Sequence, residues 1–171
     1  MNGIVRIAEP TNELVLNYAP GSPERESLKK CLDQMLTKEY DIPAIIGGKE
    51  IRSGNTLDVI CPHEHAHKLG VCHQVSEDNI ANAVKVAHEA WHEWSVMPWE
   101  SRAAVFLKAA ELLGGPWRDT INAATMLGQS KTAYQAEIDA AAEQCDFWRF
   151  NAYFMQQIYE GQPNSAAGIW D

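Results

Sequence analysis

Nothing in the sequence approaches the run of ~20 apolar residues that a bilayer-spanning helix requires, so no membrane span is expected. Basic residues are also scarce. Fourteen Lys and Arg stand against 23 Asp and Glu, for a net charge of −9. Binding to nucleic acid depends on Lys and Arg neutralising phosphates, and an anionic membrane surface makes the same demand. Neither is expected as a partner. Residues Met1 to Pro10 hold a single Arg and no apolar stretch ahead of a small-residue cleavage site. They read as neither a secretory signal nor an Arg-rich, Ser-rich presequence. The four cysteines, Cys31, Cys61, Cys72 and Cys145, include no C-x-x-C pair. With no export signal they are expected to be reduced thiols in a cytoplasmic protein.

Familiar chemical motifs are missing as well. There is no G-x-G-x-x-G string. The run Gly128-Gln129-Ser130-Lys131-Thr132 lacks the glycine that a phosphate loop places before its lysine, and reads as a helix stop followed by a helix start. His88 and His92 stand four apart, a spacing that can hold a metal on a helix. With Glu89 and Glu93 beside them, a solvated helix face is the expected reading. Cys61, His63, His65, His67, Cys72 and His73 are the residue types that zinc and copper select. Their spacing is not that of a finger. In a strand, His63, His65 and His67 would share one face about 7 Å apart. A solvated hairpin loop without a metal is the expectation.

What is present is a chain of 171 residues, 46% of them hydrophobic, enough for one compact domain with a core. Ser22 is placed to cap a helix with Pro23 at its first position, and Leu28, Cys31, Leu32, Met35 and Leu36 recur at helical spacing. A helix over 23–38 is predicted. Alternation at Leu57, Val59 and Cys61 and at Leu69 and Val71, with turn residues at Gly47-Gly48 and Gly54-Asn55, predicts two or three antiparallel hairpin strands over 42–75. Helices fill 76–160. The first is capped by Ser76, a break comes at Pro98, a stop at Gly114-Gly115-Pro116 and another at Gly128. The chain thus reads as mostly α-helical with a short antiparallel β-hairpin region near 42–75.

The last helix, from about Lys131 to Tyr159, is apolar around most of its circumference. At 100° per residue, Tyr134, Ile138, Ala141, Cys145, Trp148, Ala152 and Met155 form one stripe, and Ala136, Ala140, Phe147, Phe150 and Phe154 form another. Gln135, Asp139, Asp146, Arg149, Tyr153 and Gln156 share a narrow polar arc. Glu143 falls inside the second apolar stripe. A carboxylate there needs either a cationic partner or a pocket to face. Cys145, on an apolar stripe, reads as a structural buried thiol.

Several blocks then converge. Met97 to Leu113 resembles the aldehyde dehydrogenase segment in which an Arg opens a helix of Leu-Lys-Ala-Ala type. Gly128 to Thr132, Gln135 to Glu143, and Asp146-Phe147-Trp148-Arg149-Phe150-Asn151-Ala152 are similar to the 1-pyrroline-5-carboxylate dehydrogenases, the glutamate-semialdehyde branch of that superfamily. Gly21-Ser22-Pro23-Glu24-Arg25 and Ile42-Pro43 agree. The resemblance implies an α/β fold of which 1–171 is the N-terminal part. It implies NAD-dependent oxidation of L-glutamate γ-semialdehyde to L-glutamate in proline degradation, by a cysteine nucleophile and a thiohemiacetal that passes hydride to NAD. In this family the nucleophile and the NAD-binding segments lie downstream, and none of the four cysteines matches the nucleophile motif, so no catalytic residue is expected here. By the same resemblance Glu143 lies near the aldehyde entrance, Phe147 lines the same region, the enzyme is a homo-oligomer acting on a small molecule, and a eukaryotic member resides in the mitochondrial matrix. It also implies that strand edges and apolar helix faces are left uncovered in this stretch alone. The competing expectation is a free-standing helical interaction or metal-binding module. The dehydrogenase reading predicts that the isolated 171-residue chain gives no NADH from the semialdehyde. Turnover by the pure chain would show that the nucleophile has been misplaced.

Overall fold

The computed structural model describes residues 3–169. Met1, Asn2, Trp170 and Asp171 lie outside the described residues. An extended arm, residues 3–19, leads into helix α1, Pro23–Leu36. Ser22 caps it, its hydroxyl accepting from the Arg25 amide at 3.3 Å, with Pro23 where a missing N–H costs nothing. Five short strands follow: β1 Tyr40–Ile42, β2 Ala44–Ile46, β3 Lys49–Ile51, β4 Thr56–Ile60 and β5 Lys68–His73. Then come α2 Glu77–Val96, α3 Trp99–Gly114, α4 Arg118–Gln129 and a long last helix, α5, over 133–160. The middle of α5, Glu137–Ala142, is π-helical, with the Glu143 amide reaching back five residues to the Ile138 carbonyl.

The helix starts lie where the sequence places them. Ser76 and Asn79 form a reciprocal capping box on α2, and Thr132 and Gln135 form another on α5. The strands form two sheets. β2 and β3 pair antiparallel as a separate two-stranded hairpin, closed by Gly47 and Gly48 at φ 58° and 73°. Two successive left-handed residues match the twist of the flanking strands, and glycine adopts them at no steric cost. The other sheet has the order β1-β5-β4. β4 pairs antiparallel with β5, but β1 pairs with β5 in parallel, Tyr40 opposite Gly70 and Ile42 opposite Cys72. The antiparallel hairpin region expected over 42–75 is present, and the parallel pairing of β1, at its leading edge, adds to it. Alternation reports which face a side chain takes, not the direction of the neighbouring strand.

Packing centres on α1. Leu28 and Tyr18 meet Ala123 of α4 on one side. Leu32, Met35 and Leu36 meet Cys61, Leu69 and Leu127 on the other. Cys145 is buried between α5 and α3, its thiol 3.4 Å from the Ala110 carbonyl. Burial pushes that thiol above its ordinary value, with the Glu13 charge adding to it, so it is a poor nucleophile. By contrast α2 has no buried residue. Its apolar face, Ile80, Val84, Trp91 and Trp94, is 38–60% exposed. These are the uncovered helix faces implied above.

Gly70 stands opposite Tyr40 in the β1–β5 pairing. A Cβ there would stand 2.1 Å from the Tyr40 carbonyl oxygen, with backbone on the other side of the contact and no side chain to give way. Gly70→Ala is expected to cost about 3 kcal/mol, the upper end for overpacking a tight site, and to lower the urea midpoint accordingly. A midpoint unchanged within error would show that the pair separates freely.

Candidate functional site

The long α5 helix carries two carboxylates of opposite character. Glu137 is wholly buried and Glu143, six positions on, is exposed. The Glu137 carboxylate accepts from the Leu16 amide at 2.8 Å, the Tyr18 hydroxyl at 2.8 Å, the Asn122 amide at 2.8 Å and the Arg118 guanidinium through two nitrogens. Arg118 stands at the start of α4, and its remaining donors reach Glu13 at 2.8 Å and the carbonyls of Leu14 and Gly114. Glu13 also pairs with Arg149. Tyr18 takes a left-handed backbone, φ 52°, that turns its ring into this cluster.

Burial alone would raise the Glu137 carboxyl. The Arg118 guanidinium, the Leu16 amide, the Tyr18 hydroxyl and the Asn122 amide outweigh it and hold the group below its ordinary value. Glu13 behaves alike: burial raises it, and Arg149 and Arg118 more than offset that. Tyr18 is raised by burial and by the adjacent Glu137 charge. This constellation is a structural anchor. Glu137, Arg118, Tyr18 and Glu13 do not line the depression that Glu143 faces.

The other carboxylate is placed differently. Downstream of the π segment, Glu143, Phe147 and Phe154 share one exposed face of α5. With Asn12 of the arm, Asp146 and Phe150 they line an open depression of about 470 Å³. The Glu143 side chain has no hydrogen-bond or ion-pair partner among the described residues. The expectation of an apolar stripe running through Ala136, Ala140, Glu143 and Phe147 is thus corrected: Ala136 is buried and Phe147 is 55% exposed. A π segment takes up an extra residue in its turn, so a wheel at a constant 100° loses phase across it. The structure gives the polar arc of Asp146, Arg149 and Gln156 its partner. The arc faces the arm rather than water, receiving the Asn12 side chain, the Glu13 amide and the Ile7 amide.

The histidines scatter. β4 ends at Ile60, so His63, His65 and His67 lie in turns and not on one strand face. His63 leans on the Cys61 thiol and the Ser130 hydroxyl, the latter at 2.9 Å. His73 accepts from the Gly54 amide through Nδ1 and therefore donates through Nε2 to Asp41 at 2.8 Å, tying β5 to β1. Positions 88–92 spell H-E-x-x-H, the string of metalloprotease helices, which the sequence reading above passed over. They lie on exposed α2, and no group of three potential ligands that could hold a metal occurs among the described residues.

Comparison with known proteins supplies the context. The aldehyde dehydrogenase family model matches residues 50–169. The chain belongs to the aldehyde dehydrogenase family. It is 44% identical over 168 residues to a Delta-1-pyrroline-5-carboxylate dehydrogenase of Agaricus bisporus, covering 97% of this chain and 31% of that protein. A mitochondrial Delta-1-pyrroline-5-carboxylate dehydrogenase of Dictyostelium discoideum is 43% identical, over 96% of this chain and 30% of that one. The crystal structure of the Delta-pyrroline-5-carboxylate dehydrogenase from Mycobacterium tuberculosis bound with NAD superposes with a TM-score of 0.94 at 48% identity, covering 99% of this chain and 32% of that one. The chain therefore spans about a third of the length of these relatives.

The described residues do not by themselves fit a dinucleotide. The parallel pairing, β1 with β5, is three residues long, and no glycine-rich turn leads from it into a helix. Glu143 and Phe147, singled out from sequence, are brought together in one depression. Glu137, Arg118 and Glu13 were missed. Glu137 could have been noticed, since it precedes Ala141 and Cys145 at i, i+4, i+8 on the buried side. Its partners could not, because Arg118 and Asn122 come from the preceding helix, and Leu16 and Tyr18 from more than a hundred residues away.

Glu137→Gln leaves Arg118 buried without its full counter-charge and is expected to cost about 3–5 kcal/mol, read as a fall in the denaturant midpoint. The pH dependence has a fixed sign. Both Glu137 and Glu13 sit below the ordinary value of 4.5 when folded. Their contribution is present above that value and is lost as the pH falls below it through the folded values. Acid unfolding that begins below 4.5 in the parent, and is shallower in Glu137→Gln, is the expected pair of curves.

Proposed function

We propose that this chain is part of an enzyme that oxidises L-glutamate γ-semialdehyde to L-glutamate with NAD as electron acceptor, in proline degradation. The observation that carries the reading is an unpaired carboxylate, Glu143, set beside Phe147 in an open depression, within a chain that superposes along 99% of its length on a structure of that named activity. The described residues form no crevice for NAD, and the catalytic nucleophile is assigned to sequence outside this chain. What these residues do is shape the approach of the aldehyde. Phe147 and Phe150 offer apolar walls to the substrate's methylene groups, and Glu143 offers a negative charge to its cationic end.

The homo-oligomeric state belongs to the same proposal. It is supported by the uncovered face of α2 and the open edges of the two sheets, surfaces that a larger body would cover. No described helix is long and apolar enough to cross a membrane. The proposed location is the cytoplasm, or the mitochondrial matrix in a eukaryote; the Dictyostelium relative is named mitochondrial.

Glu143→Gln, made in the protein at the length of its relatives, keeps shape and removes charge. Because Glu143 is exposed and unpaired, the melting temperature should stay within about a degree or two, as for surface changes that touch no partner. The kcat/KM for the semialdehyde should fall about tenfold, or ~1.4 kcal/mol of transition-state binding. An undiminished kcat/KM in a well-folded variant would remove Glu143 from the site.

A further inference from the structure

The depression is built from two pieces of chain far apart in sequence. One is the turn of α5 that holds Glu143, Asp146 and Phe147. The other is the arm, which contributes Asn12. Asp146 joins them. One of its oxygens accepts from the Asn12 side-chain amide at 2.7 Å, and the other accepts from the Glu13 backbone amide at 2.7 Å. The arm is fixed on both sides of this point: Glu13 by Arg118 and Arg149, and Ile7 by Gln156 at 2.5 Å.

Two consequences follow from donor and acceptor chemistry. Asp146 is occupied at both oxygens, which leaves Glu143 as the carboxylate of the depression that is free to meet a ligand. The Asn12 amide is held by its NH₂ end, so its oxygen is the end turned away from Asp146 and has no partner among the described residues. A fixed amide oxygen and a free carboxylate, beside an aromatic face, are two acceptors and a π surface, an arrangement that favours a donor cation.

Building on the function proposed above, we propose that Asn12 is a specificity-determining residue. Its Oδ1 and the Glu143 carboxylate together accept from the ammonium group of the substrate, so that the site selects aldehydes bearing a primary ammonium over otherwise equal aldehydes without one. Asp146 is the positioning residue that holds the Asn12 amide in this sense.

The test compares L-glutamate γ-semialdehyde with 5-oxopentanoate, which has the same chain and carboxylate but no ammonium. The protein is assayed at the length of its relatives. Asn12→Ala should raise the KM for the semialdehyde about tenfold with kcat within about twofold, and so lower the preference for the semialdehyde over 5-oxopentanoate severalfold. Gln156→Leu loosens the arm at Ile7, away from the depression. It should lower the melting temperature and leave the ratio of the two substrates unchanged. An Asn12→Ala enzyme with an unaltered ratio overturns the proposal. So does a ratio that moves equally in Gln156→Leu, since the arm would then act only through stability. A parent enzyme that oxidises 5-oxopentanoate but not the semialdehyde overturns the functional reading itself, which keeps the two failures apart.

Discussion

Glu137 is a carboxylate with no exposure to water, and its charge is kept by five donors that converge on it from two parts of the chain, the arm and α4. Removing such a charge from water costs several kcal/mol, which only a full set of short hydrogen bonds and a counter-ion can offset. Arg118 is that counter-ion. Its guanidinium also holds Glu13 and two backbone carbonyls, so the same residue that neutralises Glu137 fixes the arm. The arm has no regular structure of its own. Residues 3–19 find their backbone partners on Glu137, Asp146, Gln156 and Arg118 instead. Without this ion pair, the arm would lose its hold at Leu14, Leu16 and Tyr18 and keep only its ties to α5 at Ile7, Asn12 and Glu13.

The π segment of α5 serves both carboxylates. It begins at Glu137 and ends just before Glu143. The extra residue in its turn lets Glu137 point into the core while Glu143 and the phenylalanines after it point out to the depression. A continuous α-helix would put these positions in a different relation. π turns recur at functional sites for this reason: they change the phase of a helix without ending it. Asp146 then draws the arm onto the downstream turn, so the depression inherits its shape from the buried network one face away.

Two regions sit outside this organisation. The β2–β3 hairpin stands apart from the three-stranded sheet, and α2 shows a tryptophan-bearing face to solvent. Apolar patches of this kind mark contact surfaces in soluble proteins. They agree with a chain that spans about a third of the length of its relatives.

Much of the local structure was legible in the sequence alone. Ser22, Ser76 and Thr132 are capping residues wherever they occur before a helical pattern, because the orphan amides of a first turn need an acceptor within three residues. Gly47-Gly48 fixed its hairpin in the same way, and the blocks around Gln135–Glu143 and Asp146–Ala152 carried the family. These signals are local and survive without knowledge of the fold. The parallel pairing of β1, the inward turn of Asp146 and Arg149, and the burial of Glu137 were decided only by tertiary structure. Each depends on a partner brought from a distant part of the chain, and on a helical phase that a single π turn resets. A periodic pattern ranks the faces of a helix, but it cannot say which face meets a polar arm with donors of its own, because a carboxylate that meets enough donors is as much at home in the core as an alanine.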